Sequence, residues 1–179
     1  MMQAHDLRLT FNPGTPIENP ALRGIDLNIA DGEFVTVIGT NGAGKSTFLN
    51  AVSGTTRVDS GSILLNGIDV TKKTAHQRAH WVARVFQDPM AGTCEALTIE
   101  ENMALAYKRG SKRGLGLALN ANNRELFREK LAVLKLGLEN RLTDRMGLLS
   151  GGQRQAVSLL MASLQPSKIL LLDEHTAAL

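Results

Sequence analysis

Apolar and polar residues alternate through GIDLNI (24–29), which sets Ile25, Leu27 and Ile29 on one side of an extended chain. Asp31-Gly32 then supplies a turn, and residues 34–38 (FVTVI) form a β-rich apolar run, so 24–38 predicts two strands. A second hairpin is predicted over SILLNGIDV, with Asn66-Gly67 at its turn. Between the hairpins, KSTFLNAVSG reads as a short helix closed by Gly54. Beyond residue 87 the period lengthens. Thr98 and Glu101 make a capping box opening TIEENMALAY, where Ile99, Met103 and Ala106 share a face. Phe127, Leu131, Leu134 and Leu138 predict a further helix, and Val157, Leu160, Met161 and Leu164 stripe another. Pro166 breaks the chain before an uninterrupted apolar strand at 169–172. A β-rich part (1–87), a helical part (88–164) and a return to strand (165–179) is the order expected of an α/β core with a helical insertion.

Composition changes this picture little. A chain of 179 residues suits one domain with a real core and room for a subdomain, not two independent domains. Its net charge of +3 demands no polyanionic partner. The single cysteine, Cys94, allows no internal disulfide and fits a reducing compartment. MMQAHDLRLTF lacks the basic-then-apolar form of a signal peptide, and no apolar run nears the roughly 18 residues that cross a bilayer. A membrane role would therefore come through a partner. KRGSKRG (108–114) is the only dense basic run; without interleaved aromatics it predicts a solvated loop rather than a nucleic-acid contact. His76 and His80 lack a third ligand nearby and predict an exposed helical face, while Trp81 and Tyr107 suit packing.

Two segments carry chemistry. GTNGAGKST (39–47) matches the phosphate-loop pattern G-x-x-x-x-G-K-[ST], with a buried strand predicted before it and a helix after. Gly39, Gly42 and Gly44 let the backbone curl until its N–H groups face a phosphate. Lys45 is placed to neutralise the β- and γ-phosphates, and the Ser46 hydroxyl to ligate Mg²⁺. The strand at 169–172 delivers Asp173 and Glu174 to its C-terminal edge, where an α/β protein builds a ligand site. Asp173 suits Mg²⁺, and Glu174 suits an attacking water as base or orienting group.

GTNGAGKST, Gln87 within VFQDP, LSGGQ at 149–153 and ILLLDE at 169–174 occur in the order and approximate spacing of an ABC-type ATPase. The chain resembles that family over nearly its whole length, and LSGGQ between two nucleotide motifs is close to diagnostic of it. The resemblance implies a P-loop NTPase fold: a RecA-like core, an N-terminal antiparallel β portion (within 1–87), and an inserted helical subdomain (88–164) bearing LSGGQ. It implies ATP bound by Gly39, Asn41, Gly42, Ala43, Gly44, Lys45, Ser46 and Thr47, with Phe11 stacked on adenine. Phe11 otherwise reads as an apolar strand-end residue. Gln87 corresponds to the family's Q-loop glutamine, facing Mg²⁺ and the attacking water beside Ser46, Asp173 and Glu174. Ser150, Gly151, Gly152 and Gln153 correspond to the segment that binds the γ-phosphate held by the other subunit, so two chains pair head-to-tail around two ATPs. Residues just after Gln87 would line the groove that receives a permease.

The sequence departs from the family at its end. HTAAL begins the family's D-loop and then stops, without the next strand or the switch histidine, so the C-terminal part is expected to be missing. His175 sits on the wrong strand to be that switch. The leading expectation is an ATP-hydrolysing transporter subunit, cytoplasmic and peripheral on the inner face of the cell membrane. It would work with a second, identical ATPase, an integral membrane permease and, for an importer, an extracytoplasmic binding protein. FNPGTP, VIGTNGAGKSTFLNAVSG, LTIEENMALA and LLLDEHTAAL resemble a subgroup that works with an extracytoplasmic binding protein, and the resemblance implies aromatic amino acids as cargo. A soluble ABC ATPase acting on nucleic acid or ribosomes is the alternative, although neither heptads nor zinc ligands are present, and no direct nucleic-acid contact is expected. A third reading is a nucleotide-binding fragment that does not hydrolyse.

Overall fold

The computed structural model describes residues 1–111 and 118–173, in two compact units, 1–82 and 83–179. The first unit is built on a four-stranded antiparallel sheet. Strands β1 (Met2–Phe11) and β2 (Asn19–Ile29) pair with each other, helix α1 (Lys45–Ser53) follows, and then come β3 (Ser60–Leu65) and β4 (Ile68–Asp69), giving the order β2-β1-β3-β4. A four-residue helix α2 (Ala75–Arg78) ends the unit. Met2 and Ala4 are buried, and so are Leu7 and Leu9, although the two pairs are out of phase for a regular strand. A bulge absorbs the mismatch: Asp6 takes φ 41° and the register with both neighbours shifts there. The hairpin expected at Asn66-Gly67 forms, with φ 50° and 76° at the two turn residues and Leu65 opposite Ile68.

One predicted strand does not form. Residues 34–38 pair with no strand among the described residues, and Phe34 (83% exposed) and Ile38 (89%) lie open. A β-rich run becomes a strand only where a neighbour supplies ladder hydrogen bonds, and sequence composition does not supply that neighbour. Ile25 is likewise exposed and Leu27 and Ile29 only half-buried, although they alternate as expected.

Helix α1 lies against β2, burying Phe48, Ala51 and Val52, and ends at Gly54 with φ 79°. Its last carbonyls are held by Arg78, whose side chain is buried. Arg78 Nη1 donates to Ala51 O (2.7 Å) and Val52 O (2.8 Å), Nε to Lys73 O (2.9 Å) and Nη2 to Thr71 O (2.9 Å). Burial pushes this guanidinium below its ordinary pKa, and Asp69 partly offsets the shift.

Strand β5 (Val82–Val85) starts at the boundary between the units and forms a two-stranded sheet with β6 (Ile169–Leu172). Between them lie α3 (Ile99–Tyr107), α4 (Ala121–Ala132) and α5 (Gly151–Ser163) around a core of Met103, Phe127, Leu131, Leu138, Val157 and Met161. The capping box at Thr98 is present, with Glu101 N–H donating to Thr98 Oγ1 (3.2 Å) and Thr98 N–H to Glu101 Oε2 (2.7 Å). The helix predicted through Leu138 stops at Ala132, because Lys135 and Gly137 take φ 55° and 71°; Leu134 and Leu138 still pack on the same core. Buried Glu100 receives both Nε (2.8 Å) and Nη2 (3.1 Å) of Arg124, tying α3 to α4. The basic run is not wholly solvated: Arg109 donates to Ala162 O (3.0 Å) and Gln165 O (2.9 Å), satisfying carbonyls at the end of α5. Residues 112–114 of that run lie outside the described residues. Strand β6 buries Leu171 but exposes Leu170, so it is not the strand buried on both faces that its composition suggests.

Candidate functional site

The phosphate loop occupies the turn into α1. Gly42 (φ 80°) and Gly44 (φ 92°) flank Ala43 in left-handed conformations, and a Cβ on Gly44 would lie 2.6 Å from the Ala21 carbonyl of β2. Glycine at 44 is therefore required both by conformation and by the close approach of the sheet. Gly44 is also the N-cap of α1, so no capping side chain competes for the first-turn N–H groups, as an anion site needs. Lys45 folds back over the loop, Nζ donating to Gly39 O (2.8 Å) and Thr40 O (3.1 Å). A phosphate would offer this ammonium stronger, charged acceptors than those carbonyls. Gly39 and Asn41 are exposed, Ser46 is exposed, and Thr47 half-buried, so the loop is open to a ligand. No strand leads into it, contrary to the sequence expectation. Phe11 stands 40% exposed at the end of β1, where a planar ligand could reach it. The following turn is ordered by Glu18, whose carboxylate accepts from Gly14 N–H (2.7 Å).

In the second unit, Asp173 follows β6 directly. Its N–H donates to Val85 O (3.2 Å), which sets the ends of β5 and β6 side by side, and β5 leads two residues later to exposed Gln87. The carboxylate is buried, and its Oδ2 accepts from Arg84 Nη2 at 2.8 Å. Sequence reading passed over Arg84. A charged residue inside the apolar run VARVF was the available signal, since a strand buries a cation only with a partner. Glu174 and His175 lie outside the described residues.

The LSGGQ segment is a helix N-terminus closed on itself. Ser150 Oγ accepts from Gln153 N–H (3.3 Å) while Gln153 Oε1 accepts from Ser150 N–H (3.1 Å). The N–H groups of Gly151 and Gly152 have no intrahelical acceptor. A Cβ at either glycine would meet nothing within 4 Å, and neither has a positive φ. Among the described residues, nothing packs closely enough to ask for glycine there. Arg154, one residue further, donates to Glu95 Oε1 (2.6 Å) and to Gly147 O (3.3 Å), linking α5 to the segment beyond Gln87. That segment is pinned by buried Asn102, a second residue the sequence reading missed. Its Nδ2 donates to Cys94 O (3.0 Å) and Thr98 O (2.9 Å), and its Oδ1 accepts from Cys94 N–H (2.8 Å).

Other candidates have ordinary surroundings. His76 and His80 are exposed, and no cluster of three metal-ligating side chains occurs among the described residues. Trp81 takes an edge contact from His80 and lies 5.9 Å from Lys73 Nζ, and Tyr107 packs edge-on against Phe127. Among the described residues no helix is long and apolar enough to cross a membrane.

Known proteins are similar to this chain in sequence and in fold. The sequence profile of the family described as ABC transporter matches residues 22–177. The tyrosine transport ATP-binding protein of Clostridioides difficile is 44% identical over 181 residues, covering 100% of this chain and 71% of the relative. An energy-coupling factor transporter ATP-binding protein of Clostridium acetobutylicum is 35% identical over 182 residues, covering 99% of this chain and 60% of the relative. A dimeric ATP-binding cassette solved in a post-hydrolysis state with ADP and Pi is similar at a TM-score of 0.85 and 28% identity, covering 100% of this chain and 76% of that one. The chain thus spans 71% and 60% of the lengths of these two curated relatives. With its phosphate loop, its capped LSGGQ helix and a profile match across most of its length, the chain belongs to the ABC transporter family and carries that family's ATP-binding cassette fold.

Proposed function

We propose that this chain is the ATP-binding and ATP-hydrolysing subunit of a membrane transporter, driven by ATP-dependent pairing with a second, identical copy. The observation that carries this reading is the pair Gly151 and Gly152. They sit in the first turn of a helix, where alanine would serve the chain better, and their surroundings are empty. Glycine there is useful only to something outside the chain that comes close to the backbone. A phosphate held by a partner's loop is such a group: it meets two N–H groups, a helix N-terminus and the Ser150 hydroxyl, which still has a proton to donate.

In this reading residues 1–87 and 165–179 form the nucleotide core and 88–164 the helical subdomain. The loop from Gly39 to Thr47 cradles the β- and γ-phosphates, Lys45 leaves its carbonyls for them, and Phe11 stacks on the base. Ser46, Gln87 and Asp173 offer only oxygen donors, the chemistry that suits Mg²⁺. When bound, Mg²⁺ neutralises phosphate charge. Gln87 and Glu174 orient the water, and Glu174 accepts its proton. Pairing is linked to ATP occupancy because each ATP completes its contacts only in the dimer. The exposed surface after Gln87 receives an integral membrane permease, which places the subunit on the cytoplasmic face of the membrane. One relative is named for tyrosine transport, so an aromatic amino acid taken up through an extracytoplasmic binding protein is the cargo to test first.

Ser150→Arg tests the proposal. The variant should bind nucleotide as a monomer with unchanged affinity yet lose hydrolysis, since the added side chain fills the approach to the partner's phosphate. Loss of both in equal measure would refute the pairing role. Glu174→Gln should retain ATP and trap the dimer.

A further inference from the structure

Glu95 grips the chain on both sides of Ser150. Its main-chain carbonyl accepts from Gly147 N–H (3.1 Å), three residues before that serine, and its carboxylate Oε1 accepts from Arg154 Nη1 (2.6 Å), four residues after it. Arg154 Nη2 closes the circuit on Gly147 O (3.3 Å). Gly147 fits with little room to spare, since a Cβ would lie 3.3 Å from Glu95 O and 3.4 Å from Glu95 Cβ. The segment that carries Glu95 is itself fixed. Asn102 holds Cys94 by its N–H (2.8 Å) and its carbonyl (3.0 Å). Met146 N–H donates to Leu97 O (2.9 Å), Ile99 N–H to Asp144 O (2.9 Å) and Glu100 N–H to Leu142 O (3.0 Å), so residues 142–147 run antiparallel to 95–100 up to the entry of α5. Stability alone does not account for the ion pair. The Glu95 side chain is 47% exposed and its attraction is screened, while the Arg154 side chain is 10% exposed and its Nε is buried with no partner among the described residues. Screening and desolvation leave such a pair little net gain.

We propose that Glu95 is a positioning residue for ATP hydrolysis, which holds Gly147 and Arg154 so that the first turn of α5 presents its N–H groups at the angle a partner's phosphate requires. The inference rests on the reading of LSGGQ as the segment that meets that phosphate. Gly151 and Gly152 cannot set this angle themselves, because without side chains they have nothing to pack with, and even a Cβ would meet nothing within 4 Å. Their orientation is imposed from the flanks, and Glu95 reaches both. In this role Glu95 touches neither nucleotide nor water; it acts through Arg154 and Gly147. A misplacement of about 1 Å in a group aimed at the reacting phosphate costs on the order of 100-fold in rate, so the partial loosening left by removing one carboxylate should cost about tenfold. The loss falls on kcat, because the monomer's own phosphate loop is untouched.

A double-mutant cycle on the full chain tests this, with phosphate release at saturating ATP and nucleotide affinity of the monomer as readouts. Glu95→Ala leaves the main-chain bond to Gly147 but removes the grip on Arg154; it should hydrolyse ATP about tenfold more slowly with monomer affinity unchanged. Glu95→Gln keeps an acceptor at the same reach and should stay within about threefold of the parent. Arg154→Met should match Glu95→Ala, and the double variant should be no more than about threefold slower than either, because both remove one contact. Parental turnover in Glu95→Ala overturns the proposal. So does a loss in Glu95→Gln equal to that in Glu95→Ala, an equal loss of monomer affinity, or a double variant slowed by the product of the two single effects. If Arg154→Met does not fold, the contrast between Glu95→Ala and Glu95→Gln decides alone. Ser150→Arg separates the two levels of the argument. If it keeps parental turnover, the pairing role of LSGGQ fails; if it loses turnover while Glu95→Ala does not, only the positioning role of Glu95 fails.

Discussion

Gly152→Ala puts opposite demands on the chain and on its proposed partner. The residue lies in the first turn of α5, its φ is not positive, and an added Cβ would meet nothing within 4 Å. Replacing a helical glycine by alanine removes backbone freedom from the unfolded chain, which favours the folded state by roughly 0.5–1 kcal/mol in a helix interior and somewhat less in a first turn. For a chain of this size that corresponds to a melting temperature raised by about 1–4 °C. The same methyl stands where the partner's phosphate is proposed to approach, and a displacement on the order of 1 Å in a reacting group costs about 100-fold in rate. The expected outcome is a protein that melts at or above the parental temperature, binds nucleotide normally as a monomer and hydrolyses ATP at about one-hundredth of the parental rate or less. Scanning calorimetry, nucleotide titration and phosphate release measure the three quantities. A melting temperature several degrees lower would show that the chain itself needs this glycine, and parental turnover would show that nothing approaches it.

The other phosphate segment should respond in the reverse way. Gly44→Ala forces a side chain into φ 92° and within 2.6 Å of Ala21 O, so it should lose about 2–4 kcal/mol of stability together with nucleotide binding, read by denaturant titration and nucleotide fluorescence. Arg78→Met strands four carbonyl acceptors around a buried site and should lose about 3–4 kcal/mol in the same titration; Arg78→Lys should restore little, because one ammonium cannot span Ala51, Val52, Lys73 and Thr71. The Asp69 carboxyl is held below its ordinary range by hydrogen bonds from the Thr71 side chain and backbone. A lowered folded-state pKa adds stability that is complete above the unfolded value, about 4, and is lost as pH falls through the folded value. The stability difference between the parent and Asp69→Asn should therefore be largest near neutral pH and close in acid, as urea midpoints at several pH values would record.

What the sequence determined by itself is local chemistry. Asn66-Gly67 makes its turn because two adjacent residues tolerate positive φ. Thr98 with Glu101 caps a helix because the groups that bond are three positions apart, and the phosphate loop and LSGGQ helix were legible for the same reason. Where a feature depends on distant partners, sequence failed in identifiable ways. Residues 34–38 have the composition of a buried strand but no ladder partner among the described residues, and Leu170 is exposed although its neighbours are as apolar as a core strand's. The bulge at Asp6 was invisible because it reconciles a phase error against two strands at once. Arg84 meets Asp173 across 89 positions, and Arg109 reaches the end of α5 from a run that composition alone assigns to solvent. Tertiary structure decides such pairs because hydrogen-bond ladders and buried charges are satisfied by whatever the fold brings alongside them, and no property of either residue alone specifies which one that is.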